Sequence, residues 1–408
     1  MKANRLFFLL MAGSSALGLA RAFVLAGLLT TEDFGRYAIL MAIALFLSPL
    51  AGLGLIEETR KLFPRFFVDG RSAEIVGRAD HVTRLVGLRI AALGAIATIA
   101  LAVAGWFWWA SVSAAMTLIA FGNAWSSIMA SALRAGTTTL PLGVTSLLRA
   151  SITLPLTVFA AVHFGLIGAL WGEAIGAICG GAIMRAALRR PSADASPAGA
   201  ESHSSRASHA GMLVFLGSAL VSAPFYLNRP VAALALSAAE VGTLSFLLVL
   251  VGALQTTIAI CDQVVGPRLV HWQHGGMNLA RQKRRFFLIV TALAAISLAA
   301  FVAMWIGMHV PLIAPMIDKY ALTESVIVPA AVLAALNITS TADWMLQAHD
   351  RERIITIAAA GNLTAFGVLT ILIIAGTVEM EAYIWGLAGA KLCQLIVQLA
   401  AINTLTDR

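Results

Sequence analysis

Runs of about twenty apolar residues, separated by short polar breaks, fill almost the whole chain, and that is the length a helix needs to cross the hydrocarbon core of a bilayer. We read about twelve such spans, at 6–29, 35–56, 86–108, 112–133, 142–163, 165–186, 212–236, 242–263, 286–308, 322–345, 354–376 and 382–403. Hydrophobic residues make up 60% of the 408 and charged residues only 12%, about half the charged share of a water-soluble domain. Period-two alternation is absent, and lipid offers no partner to an open sheet edge, so the spans are helices. The expected fold class is an all-α polytopic membrane protein.

The net charge of +8 would suggest a nucleic-acid partner in a soluble protein. Here the basic residues sort into alternate loops instead. One set holds Arg60, Lys61, Arg65, Arg71, Arg78, Arg84, Arg134, Arg185, Arg189, Arg190, Arg206, Arg268, Arg281, Lys283, Arg284, Arg285, Arg351 and Arg353. The opposite set holds Arg36 and Lys319 beside Glu32, Asp33, Glu240, Asp318, Glu324, Glu379 and Glu381. The basic side is cytoplasmic, which puts both termini inside and leaves no role for nucleic acid. Trp106, Trp108, Trp109 and Trp305 fall at outer span ends, where an aromatic belt sits. The cationic stretches 60–84 and 271–286 suit the anionic lipids of the inner leaflet. Lys2 and Arg5 before an apolar run imitate a secretory leader, but that run has a counterpart in the second half and is read as a span. Cys179, Cys261 and Cys393 form no CxxC pair, and His271 and His274 lack Cys or Asp companions; no metal or cofactor is expected.

The Ser/Ala/Pro-rich stretch 189–210 reads as a cytoplasmic linker between two lobes, 1–188 and 211–408, of six spans each. The lobes repeat one another. Leu29-Thr-Thr-Glu-Asp-Phe-Gly35 follows the first span and Leu236-Ser-Ala-Ala-Glu-Val-Gly242 the seventh. Ser237 with Glu240 has the spacing of a capping box, and Thr30 with Asp33 a weaker form of it, so each motif starts a helix. Phe63-Pro64-Arg65 and Gly266-Pro267-Arg268 close the second and eighth spans, and Trp171-Gly172 and Trp385-Gly386 open or enter the sixth and twelfth. An even number of spans per lobe makes this a parallel repeat about the membrane normal.

These features together, the L-[ST]-x-x-[ED]-[FYV]-G motifs, the six-plus-six layout and the proline-marked basic loops, resemble the polysaccharide-flippase (Wzx-type) branch of the MOP exporter superfamily. The resemblance implies a two-lobed, MATE-like helical transporter of the bacterial cytoplasmic membrane. It implies alternating access, a polyprenyl-pyrophosphate-linked oligosaccharide as cargo, proton or sodium coupling in place of a cofactor, and polysaccharide polymerase machinery as a partner.

Charge inside the spans marks the candidate site, because an ion in hydrocarbon is costly and usually faces a wet or protein-lined path. Arg21 lies midway along the first span, Arg149 in the cytoplasmic third of the fifth, Arg229 in the seventh and Lys391 in the twelfth. They are candidate ligands of an anionic cargo, with Asn228 as companion to Arg229; the bland alternatives are snorkelling and structural ion pairs. Pro224 and Pro230 flank that pair and suit a hinge. Glu173 and Asp343 are candidate carriers of a coupling ion. Lys391 has a structural alternative as the partner of Glu173. Two rival functions stay open: a MATE-like exporter of drugs or metabolites, which would lean on the acids, and a membrane glycan polymerase or transferase, which the short outer loops disfavour. No P-loop sequence occurs, so no ATP-driven pump is read.

Overall fold

The computed structural model describes residues 2–68, 70–135, 140–188, 209–274, 277–307, 314–349, 351–376 and 378–405. Among them the protein is helical throughout, with no strand. Nine helical stretches are long and apolar enough to cross a membrane among the described residues. The fold is that of an all-α polytopic membrane protein. Most of the proposed linker, residues 189–208, lies outside the described residues.

The chain divides into two compact units, Met1–Leu29 with Leu40–Ala219, and Thr30–Ile39 with Leu220–Arg408. The first unit contains α1 (Lys2–Leu28), most of α2 (Thr31–Gly52), α3 (Leu55–Val68), α4 (Ser72–Val103), α5 (Phe107–Arg134) and α6 (Leu140–Ala187). Its core gathers Phe7, Ile56, Phe63, Val82, Val86, Ile128 and Met129. Within the stretch 60–84, the end of α3 forms an amphipathic helix that buries Ile56, Thr59 and Phe63, one face at helical spacing.

In α6, Gly165 (φ 58°, ψ −139°) interrupts the helix, a backbone state that only glycine adopts without strain. There the chain turns back on itself. Gly172, Gly176 and Gly180 face Thr157, Thr153 and Arg149, so the two arms run antiparallel in close register. A Cβ at Gly172 would lie 2.5 Å from the Thr157 Cα, and one at Gly176 2.5 Å from the Thr153 side chain. Small residues every four positions allow helices to approach this closely where no hydrophobic force between helices exists. The spans expected at 142–163 and 165–186 are these two arms.

The second unit holds α7 (His209–Ala232) from Leu220 onward, α8 (Ala238–His274), α9 (Leu279–Gly307), α10 (Ala314–Lys319), α11 (Glu324–Leu336), α12 (Thr339–Ala348), α13 (Glu352–Ile374) and α14 (Met380–Asn403). Leu244, Leu247, Val326, Phe366 and Tyr383 form one core cluster, and Phe286, Met345 and Leu346 belong to another. The span expected at 322–345 is one membrane-length stretch, Glu324–Ala348, in which α11 and α12 meet at a tight turn. The Asn337 N–H bonds to the Ala334 carbonyl there, and the Ser340 hydroxyl donates to the Asp262 carboxylate (2.6 Å).

Both repeat motifs start helices, with one difference. At α8 the Ser237 N–H donates to Glu240 Oε2 (2.8 Å) and the Glu240 N–H to Ser237 Oγ (3.3 Å), the full reciprocal box. At α2 the Asp33 N–H donates to Thr30 Oγ1 (3.1 Å), but the Asp33 carboxylate turns to Arg36 (3.7 Å); an aspartate falls one methylene short of glutamate's reach. Ser237→Ala is expected to cost about 1 kcal/mol and to lower the thermal midpoint by about 2 °C or more. Calorimetry of the purified protein checks this.

The first residues of α2 pack as part of the second unit. Gly35 lies against the backbone of Ala238 and Gly242, and a Cβ at Gly35 would sit 2.5 Å from the Ala238 oxygen. A Cβ at Gly242 would collide with the Thr31 carbonyl. The two motif glycines therefore mark a backbone-to-backbone crossing. Tyr320, fully buried, stacks on Phe246 (4.5 Å) and meets Phe34 edge-on (5.8 Å) beside it. The Thr243 hydroxyl donates to the Tyr320 carbonyl (3.0 Å) and that of Thr31 to the Lys319 carbonyl (3.3 Å). Burial lowers the pKa of the Lys319 ammonium and raises that of the Tyr320 hydroxyl.

Candidate functional site

In the first unit, α1, α5 and both arms of α6 bring together two guanidinium groups and one carboxylate. Arg21 Nη1 pairs with Glu173 Oε2 at 2.9 Å, the Glu173 side chain being 6% exposed and that of Arg21 26%. Arg149 Nη2 donates to Asn123 Oδ1 at 2.7 Å and feels the charges of both Arg21 and Glu173. Asn123 is itself fixed by donating Nδ2 to the Ile119 carbonyl (2.9 Å). The Arg149 stem lies over Gly180, where a Cβ would fall 2.5 Å from its Cδ; a larger residue would displace the guanidinium. The described partner of Glu173 is thus Arg21, within its own unit, in place of the alternative pairing with Lys391. Among the described residues the cluster holds two guanidinium groups and one carboxylate.

In the second unit, Asn228 and Arg229 of α7 and Lys391 of α14 line one cavity, with Gln255 of α8, Asn337 after α11 and Asn362 of α13. Pro224, Phe225 and Phe366 contribute apolar wall. Two cations and four side-chain amides face this space, and among the described residues no carboxylate lines it. Lys391 Nζ lies 3.3 Å from Gln394 Oε1, which also accepts from Asn362 Nδ2 at 3.0 Å. The Tyr383 hydroxyl donates to the Asn228 carbonyl (2.7 Å), bracing α7 two residues before Pro230. α7 stays helical through Pro224 and Pro230.

Asp343 stands outside the cavity wall. It accepts from Gln398 Nε2 at 2.6 Å and acts electrostatically on Lys391. Asp262 accepts from the hydroxyls of Ser340 and Thr341, each at 2.6 Å. The side chain of Arg268, its expected neighbour, lies outside the described residues, as do those of His271 and His274. Among the described residues no group of three His, Cys, Asp or Glu side chains is placed to hold a metal ion.

The cations were legible from the sequence, but the amides were not singled out. Asn123, Gln255, Asn337, Asn362, Gln394 and Gln398 all sit in apolar helices, and the rule that marked the arginines, that a polar group in a span needs a reason, would have found them.

Two charged clusters are thus each held inside one helical unit of this all-α membrane fold. Solved structures give that fold its relatives. An inward-facing multidrug-resistance MATE family transporter of the MOP superfamily superimposes with a TM-score of 0.63, at 15% identity over 98% of this chain and 96% of its own. The lipid II flippase MurJ, in an inward closed conformation, gives 0.62 at 14% identity, over 98% and 88%. A MOP superfamily transporter from Pyrococcus furiosus, described as having a binding pocket of reversed polarity, gives 0.56 at 15% identity, over 99% and 97%. No protein-family model and no curated protein matches the sequence.

Proposed function

We propose that the protein translocates a polyprenyl-pyrophosphate-linked oligosaccharide across the bacterial inner membrane by alternating access, as a Wzx-type member of the MOP superfamily. The observation that carries this reading is the cavity wall of the second unit, which holds Arg229 and Lys391 and, among the described residues, no carboxylate. A binding surface of that sign favours an anionic cargo over the cationic and amphipathic drugs expected of a MATE-like exporter. In this reading Arg149, Arg21, Arg229 and Lys391 supply the positive charge that a diphosphate needs. Guanidinium forks meet phosphate oxygens in pairs, and Asn228 hydrogen-bonds to the same group. Pro224 and Pro230 supply the give in α7. Asp343, beside Lys391, is the stronger candidate for a coupling ion; Glu173 is held by Arg21. The exposed Arg281 and Arg284 in the first turns of α9 meet anionic lipid, with both termini on that side.

The test is export in a flippase-deficient strain. Arg149→Ala and Arg229→Ala are each expected to cut surface polysaccharide on the order of ten-fold or more, as losing a charge-assisted contact worth about 1.5–3 kcal/mol would, at unchanged membrane abundance. Full export in both variants, or loss of cationic-dye efflux in place of polysaccharide, would overturn the assignment in favour of the drug-exporting alternative.

A further inference from the structure

We propose that the cavity of the second unit is a built-in site for one small inorganic anion, a halide or a phosphate, that neutralises Arg229 when no cargo is present. The inference goes beyond the transport reading, since it concerns the empty protein and holds whatever the cargo is.

Three observations converge. The first is charge. Lys391 has Asp343 as an electrostatic neighbour, but Arg229 makes no ion pair among the described residues, and no carboxylate among them lines its cavity. A guanidinium inside a membrane-embedded bundle without a counter-charge is strongly disfavoured. The second is unmet hydrogen bonding. Arg229 Nε and Asn337 Nδ2 are buried donors with no acceptor among the described protein atoms, and Asn337 is only 5% exposed. Asn228, 6% exposed, likewise leaves its Oδ1 without a donor, and its amide can rotate to present the NH₂ group instead. What the cavity lacks is an acceptor that carries negative charge. The third is size. The space open to the centre of a water molecule is about 50 Å³; by that measure one water takes roughly 10–15 Å³. The cavity admits a halide or one phosphate group, and a sugar ring does not fit.

The apolar wall of Phe225, Leu248, Val251 and Phe366 keeps the field of Arg229 from being screened by bulk water. A cargo phosphate entering this site must displace the resident ion, so inorganic anions would compete with cargo.

The experiment uses the full chain, delipidated in an uncharged detergent, at fixed ionic strength. Replacing gluconate, too large for the cavity, with 10 mM-scale chloride or phosphate is expected to raise the thermal midpoint by about 2 °C or more, as a ligand bound only to the native state does. The rise should vanish in Arg229→Gln and persist in Arg36→Gln, whose side chain pairs with Glu32 on the surface. Equilibrium dialysis of the unmodified protein with radiolabelled chloride and phosphate, expected to give one ion per chain, does not depend on any variant folding. Equal midpoints in all three salts would overturn the proposal, as would no bound ion. So would a rise that survives in Arg229→Gln, or one that needs added anionic phospholipid and ignores inorganic ions. Because neither readout involves transport, these failures leave the export assay standing on its own.

Discussion

Glu173→Ala is expected to destabilise the first unit by about 3 kcal/mol, the low end for breaking a buried ion pair by removing one partner. The low end applies because Arg21 keeps a quarter of its side chain exposed, while Glu173 is almost wholly enclosed. The cost comes from what remains. Arg21 loses the carboxylate 2.9 Å away, and Arg149 loses the charge that offsets Arg21. Replacing both partners tells the two contributions apart. Arg21→Leu combined with Glu173→Ala removes the stranded charge and should recover most of the loss, since apolar replacement of a buried pair is often neutral. Thermal midpoints and membrane abundance of the two single variants and the double variant close the cycle. A double variant no more stable than Glu173→Ala would show that the ion pair is not what Glu173 contributes.

Gly172→Leu is expected to destabilise the first unit by about 3 kcal/mol or more, the upper end for overpacking. At Gly176 and Gly180 of the same hairpin an added methyl meets the side chains of Thr153 and Arg149. At Gly172 it meets the Thr157 Cα and the Leu156 carbonyl, at 2.5 and 2.9 Å, and backbone cannot step aside without opening the α6 hairpin. The sign should reverse at Gly389 in α14, where a Cβ has nothing within 4 Å. There Gly389→Ala gains helix propensity, up to about 1 kcal/mol. Unfolding midpoints of the two variants, expected on opposite sides of the unmodified protein, decide the matter. Equal midpoints would mean that the glycine ladder does not set the spacing of the hairpin arms.

Much of this was legible before the fold was known because lipid leaves a sequence few options. Apolar length gave the helices, and the Ser237–Glu240 spacing gave the start of α8 to the residue. The rule that membrane charge needs a reason picked out Arg21, Arg149, Arg229 and Lys391, which the structure places in two clusters. Partnership was not legible. Glu173 pairs with Arg21 across 152 positions of sequence; the boundary between the fifth and sixth spans was read at 163–165, but not which residues the two arms of α6 bring face to face. The turn at Asn337 was not legible either, since 322–345 is apolar enough for one span and Glu324–Ala348 remains one membrane-length stretch. Residues 30–39 were read simply as the start of a span in the first lobe, for the motif shows how a helix begins and says nothing about which core it joins.

That last placement has a consequence for dissecting the protein. Cutting the polypeptide anywhere in 189–208 would not yield two self-sufficient pieces. The downstream piece would lack residues 30–39, leaving Val241, Gly242 and Tyr320 without their cover, while the upstream piece would carry a peg fitted to a socket it does not own. Neither fragment should be made stably by itself, and each should rescue the other when both are synthesised in one cell.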